Sequence, residues 1–345
     1  VIFKVTDYKN DEILFSASSY GGYSLYPVGE HMTESYAASV VSQNGIGEFN
    51  YIQLNKLLKD KVVSVSPYIS EIKEGLRGSS SVKDMKTLFE LIYLYFTSPR
   101  EDNESFSSFI ERERGSIENR LLDPNAAFSD TLTLVMSGYH PRKRPIRVEM
   151  LDEINQKRAI EIYKERFADA GDFRFYFVGN IDLVKFKEYV EKYIGSLPSR
   201  GNKENFADIG INPPVGELTK IVYRGKEPKS TVVMIMHGDF EWNRKNRMYV
   251  NALNNLVEIK LRESIREDKG GTYGVGGWTS VQRYPKSKYY TYIQFGCNPD
   301  RVEELSKAAV EVLENIKKNG ASEEELKTVK EQLLKEREKN MKENS

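Results

Sequence analysis

Residues 27–45 read PVGEHMTESYAASVVSQNG, a turn running into a helix. The first five, Pro27-Val28-Gly29-Glu30-His31, fall one residue short of H-x-x-E-H, the inverted zinc-peptidase signature. That signature needs a helix. Two histidines four positions apart share one face, and the Glu beside the second is the general base. Pro27 stands where the first His belongs and has no donor atom for a metal. Together with Gly29 it predicts a loop rather than a helix interior. The helix is expected to follow, over 33–43, capped by Thr33 and stopped by Asn44-Gly45. The pentapeptide is read as a loop that only looks like a metal site.

Working outward, strands are expected at 2–8 and 12–18, paired around Lys9-Asn10-Asp11, with Gly21-Gly22 ending the second. A helix over 51–61 and strands near 62–70 and 74–81 follow. Long helices are predicted at 82–97, 104–122, 126–137 and 148–167. Phe173, Phe175 and Phe177 alternate along a half-buried strand at 172–178, and a helix is expected at 182–193. The stretch 199–216 is polar, holds Gly and Pro, and has no clear period; it predicts a linker. Beyond it the plan repeats: strands at 218–223 and 231–237, a helix at 242–267, strands at 272–282 and 288–297, and a helix at 301–318. Ser322 and Glu325 form a capping box for one more helix. This order predicts an α+β protein of two similar domains, 1–198 and 217–345, not a doubly wound sheet.

The 345 residues are 39% hydrophobic and 30% charged, enough apolar material for two cores. Lys plus Arg equals Asp plus Glu, 51 each, so no bulk field favours nucleic acid or an anionic membrane. No apolar run approaches a spanning helix. One cysteine, Cys297, allows no internal disulfide and does not fix a compartment. The chain begins at Val1 and ends among helix formers, and it reads as a piece of a longer protein.

No C-x-x-C, H-E-x-x-H, G-x-S-x-G, P-loop or G-x-G-x-x-G is present. Cys297 and His237 read as buried or strand-end residues. The basic run 140–147, HPRKRPIR, has no aromatic residues for base stacking and reads as a solvated loop rather than a nucleic-acid patch. The informative segment is 261–277, LRESIREDKGGTYGVGG, where a helix breaks at Gly270-Gly271 and becomes a strand. Arg266 falls near the helix end and Tyr273 seven residues on, at the strand start. Two readings stand: a helix cap with a packed aromatic, or a pair of donors at a cleft suited to a peptide carbonyl or developing oxyanion. Spacing alone favours the first.

The segment 261–277 resembles the arginine–tyrosine motif of the pitrilysin/insulinase family of inverted zinc metallopeptidases. So do KNDEIL at 9–14 leading to Gly21-Gly22, His140-Pro141-Arg142, and YKERFADA at 163–170 leading to FVGNID at 177–182. Their order covers nearly the whole chain. The resemblance implies the mitochondrial-processing-peptidase-like metallohydrolase fold, with mostly antiparallel sheets carrying helices on one face. It implies the C-terminal half of a two-half enzyme that closes on unfolded peptide, here the third domain and an incomplete fourth. The helix at 33–43 then matches the zinc helix, and Tyr36, Ser39 and Val40 stand where the two histidines and the base would be. So no metal ligand is expected in this segment; zinc would come from an N-terminal half of the same polypeptide or a partner chain. By the same resemblance Arg266 contacts the substrate backbone and Tyr273 donates to the scissile carbonyl or oxyanion. Arg262, one turn earlier, competes with Arg266 for that role. A bacterial periplasmic location is implied by the resemblance alone. A second hypothesis is a non-catalytic peptide-binding or assembly module of the same family.

Overall fold

A computed structural model of the chain describes residues 9–343, apart from 269, 271 and 273 and the side chains of 266–268. Two compact units emerge, one reaching to Arg224 and the other Gly225–Met341. The strand expected at 2–8 lies outside the described residues.

In the first unit, strand β1 (Glu12–Tyr20) leads into helix α1 (His31–Asn44) and α2 (Tyr51–Leu58). Strands β2 (Val63–Ile69) and β3 (Lys73–Ser81) come next, then α3 (Met85–Thr97), α4 (Asn103–Leu122), α5 (Pro124–Met136) and α6 (Gln156–Arg166). Strand β4 (Arg174–Gly179) and α7 (Leu183–Tyr189) close the unit. The sheet runs β2-β3-β1-β4, antiparallel throughout. Period-two alternation turns Ile13, Phe15 and Ala17 of β1 inward against the helices. Phe89 of α3 stacks on Phe177 with centroids 4.9 Å apart, and Tyr163 of α6 stacks on Phe167 at 4.3 Å. The aromatic alternation seen before β4 therefore lines this core.

The second unit holds β5 (Ser230–Asp239), α8 (Arg244–Leu261), β6 (Val275–Gln282), β7 (Lys288–Cys297), α9 (Val302–Asn319) and α10 (Glu323–Asn340). Its antiparallel sheet runs β5-β7-β6. Ile293, Phe295, Val257, Leu261 and Leu305 form its core. The fold is thus α+β, and the two units share one order: β1 matches β5, α1 matches α8, and the β2–β3 hairpin matches β6–β7.

Some elements differ from expectation. Helix α1 starts at His31, not Thr33, and Thr33 does not cap it. The Thr33 hydroxyl instead donates to the Glu153 carbonyl (3.0 Å) and accepts the Asn155 N–H (3.1 Å). That contact splits the helix expected at 148–167: a 3-10 segment, Val148–Glu153, ends there, and Asn155 caps α6 by accepting the Arg158 N–H. Residues 218–223 form no strand, and Leu218, Ile221 and Tyr223 are exposed. Among the described residues no helix is long and apolar enough to cross a membrane.

Candidate functional site

Glu34, on the first turn of α1, has a fully buried side chain. Its Oε1 accepts from Arg142 Nη1 at 2.9 Å and lies 3.0 Å from His31 Nδ1. Arg142 also donates to the carbonyls of Tyr23 (2.7 Å) and Tyr26, fastening the turn between β1 and α1. The basic run at 140–147 is therefore not a solvated loop. A buried carboxylate and two peptide oxygens need donors, and Arg142 supplies them. Its neighbours are engaged too: Arg144 with Glu153 at 2.8 Å, Arg147 with Asp130 at 2.9 Å, Lys143 with Glu71 at 3.6 Å.

The positions matched to the zinc helix lie on the same α1. Val40 is fully buried, Ser39 is exposed and Tyr36 is half-buried. Burial, followed by Glu113, pushes the Tyr36 phenol up to about 12, so it stays protonated. His31 and Glu34 are neighbours, but the Arg142 cation already sits on that carboxylate. This donor set does not fit zinc. Among the described residues no group of three or more His, Cys, Asp and Glu is placed to hold a metal ion.

A second buried charge cluster went unseen in the sequence. Glu74 on β3 is 1% exposed and accepts the Gly22 N–H at 2.6 Å. Gly22 sits at φ 59 against the backbone of Ser70 and Glu71, where no side chain fits. Burial pushes the Glu74 carboxyl up to about 7, with Arg166 pulling the other way. Arg166 donates to Glu204 (2.6 Å) and to the Tyr26 hydroxyl (3.1 Å). Asp172 accepts the Glu204 N–H, and Asp169 accepts those of Arg200 and Asn202. Residues 200–204, which the sequence assigns to a linker, are thereby clasped to the first unit. The partners lie up to 153 residues apart, as with Ser19 and Asp172, so no local spacing announces them.

In the segment 261–277, α8 passes into a π-helical stretch, Arg262–Asp268, and β6 begins at Val275. Val257, Leu261 and Ile265 are buried at four-residue intervals along this junction. Arg262 is exposed. Arg266 lies in the π-helical stretch with its side chain outside the described residues, and Tyr273 lies outside them altogether. Cys297 is buried at the end of β7, where burial pushes its thiol up.

A profile of the peptidase M16 inactive domain matches residues 153–333. The probable zinc protease PqqL of Haemophilus influenzae is 25% identical over 327 residues, covering 94% of this chain and 34% of that protein. The crystal structure of the periplasmic protease PqqL from Escherichia coli superposes with a TM-score of 0.81 at 22% identity, over 94% of this chain and 36% of that one. The first half of the same protein also superposes, with a TM-score of 0.64 at 12% identity, over 94% of this chain and 72% of that one. The chain spans about a third of the length of the curated relatives it matches.

Proposed function

Because the chain belongs to the peptidase M16 (pitrilysin/insulinase) family through its inactive domain, we propose that it is the accessory half of a zinc endopeptidase, inert alone. The observation that carries this is α1. By the resemblance it corresponds to the zinc helix, and it carries Tyr36, Ser39 and Val40 at the positions that would hold ligands and base. Zinc, which the intact enzyme uses to activate water, then belongs to an N-terminal half that closes with this one on a peptide. The two domains of this half are divided by a linker within 199–216, its start clasped to the first unit. Arg266 holds the substrate backbone, and the Tyr273 hydroxyl donates to the oxyanion, a contact that strengthens as charge develops. The location follows the Escherichia coli relative, described as periplasmic.

The test joins this chain to its zinc-bearing half and follows cleavage of a fluorogenic peptide. Tyr273→Phe lowers turnover by about 10²–10³ and moves KM less, as for loss of one oxyanion donor. Arg266→Ala weakens binding and turnover together, and Arg262→Ala is the control for the competing arginine. Near wild-type turnover in Tyr273→Phe, with the fold intact, returns the segment to a packed helix–strand junction.

A further inference from the structure

The first sheet packs its helices against one face. Ile13, Phe15 and Ala17 of β1 point at them, so by alternation Ser16 and Ser18 point away, and so do their cross-strand partners Arg77 of β3 and Arg174 of β4. Ser16, Arg77 and Arg174 are exposed. Tyr68 of β2 lies over Gly75, where a Cβ would come within 2.7 Å of its hydroxyl, and the Arg77 guanidinium sits above its ring, 4.5 Å from the centroid. Tyr68, Gly75, Ser18 and Arg174 form one row across the four strands. The Tyr68 hydroxyl faces both Ser18 and Arg77; burial raises the phenol while Arg77 pulls the other way, and it stays protonated as a donor. Arg77 and Arg174 thus flank Ser18 on strands roughly 10 Å apart, with β1 between them.

Arginines elsewhere in this unit are paired: Arg142, Arg144, Arg147, Arg158 and Arg166 each hold a carboxylate. Among the described residues Arg77 and Arg174 are in no ion pair, and neither is Lys73, which sits over the Tyr20 ring at the next row. The strand residues of this face include one acid, Glu12, about 13 Å along β1 from Ser16 and close to Lys9. Leu14, Tyr176 and Val178 border the arginines with side chains that bring no compensating charge.

We propose that this face binds an extended peptide through an acidic side chain, Asp or Glu, seated over Ser18 between Arg77 and Arg174. The proposal rests on the reading of this chain as a peptide-contacting half and adds the class of side chain it selects. Charge decides the occupant. Two guanidinium groups without a carboxylate of their own are complementary to an anion, their planar forks match a carboxylate, and the Ser18 and Tyr68 hydroxyls add donors beside them. A basic side chain at the same place meets two like charges, and a neutral amide makes no charge-assisted bond. A nucleic acid needs a basic stripe that follows several phosphates, whereas here two arginines stand on a chain with no net charge.

The test is anisotropy of a Gly–Ser peptide with Glu at alternating positions and a neutral fluorophore at one end, against matched peptides carrying Gln or Lys. The Glu peptide binds saturably, and the Gln and Lys peptides at least about tenfold more weakly. Arg77→Gln and Arg174→Gln each weaken binding of the Glu peptide about tenfold, with unchanged melting. Lys164→Gln removes one exposed charge from α6, on the helix side, and leaves binding unchanged. No saturable binding, equal binding of the Gln peptide, undiminished binding to both arginine variants, or an equal loss in Lys164→Gln each overturns the proposal. Tighter binding of a single-stranded oligonucleotide, lost in both arginine variants, makes this a nucleic-acid face and overturns it too. These are binding measurements on this chain alone, so they fail or succeed independently of turnover in the two-half enzyme.

Discussion

Replacing Glu74 by Gln is expected to stabilise the first unit, increasingly so as pH rises. Glu74 is 1% exposed and faces Arg166, Glu204 and Asp172, and burial raises its carboxyl from 4.5 to about 7. The folded state therefore holds a proton that the unfolded chain gives up between those values. For a group raised on folding, its contribution is fully present below the unfolded value and is lost as pH climbs through the folded one. At about 1.4 kcal/mol per pH unit of that gap, the native state loses about 3 kcal/mol between pH 4.5 and pH 8 through this one group. Gln keeps an oxygen for the Gly22 N–H and cannot ionise, so the variant escapes the loss. The assay is urea unfolding at both pH values. Both tryptophans, Trp242 and Trp278, lie in the second unit, so their emission marks that unit's transition and circular dichroism supplies the first unit's by comparison. The advantage of Glu74→Gln over wild type should grow by about 3 kcal/mol from pH 4.5 to pH 8. A constant difference across that range would refute the argument, because it would mean that Glu74 titrates alike in both states.

Arg142→Met should destabilise the first unit by about 3–5 kcal/mol, because it strands the buried Glu34 carboxylate, and Glu34→Leu in the same chain should recover much of that loss in thermal melts. Limited trypsin digestion should cut at Lys220, Arg224, Lys226 or Lys229 before Arg200 or Lys203, because the backbone around the latter pair is held by Asp169 and Asp172; mass spectrometry of early fragments decides it.

The fold was legible wherever a pattern was local. Phe173, Phe175 and Phe177 announce β4, Asn44-Gly45 ends α1, and Ser322 with Glu325 opens α10 with the capping box observed. What stayed hidden depends on contacts between distant residues. Nothing near Thr33 says that its hydroxyl will serve Asn155 rather than its own helix. Nothing in HPRKRPIR says which arginine goes inward, because the buried Glu34 that draws Arg142 lies 108 residues earlier. The open arginine-bearing face was equally unreadable. Arg77 and Arg174 sit in unremarkable strands until the register sets one on each side of β1.

The unmatched edge of the second sheet has a consequence for handling the protein. In the first unit β1 is paired on both sides, by β3 and β4, whereas no described strand lies beyond β5. The backbone of Ser230–Asp239 therefore presents a row of hydrogen-bonding groups along a segment, STVVMIMHGD, with no charge or proline before its last residue. Such an edge is a template for any extended chain in the right register, including its own copy in a neighbouring molecule. Self-association in concentrated solution is expected to start at this edge, and light scattering of the wild-type chain against a Val233→Lys variant checks it. A single lysine at Val233, or a proline whose missing N–H faces outward, would act as a gatekeeper without touching the helix-covered core.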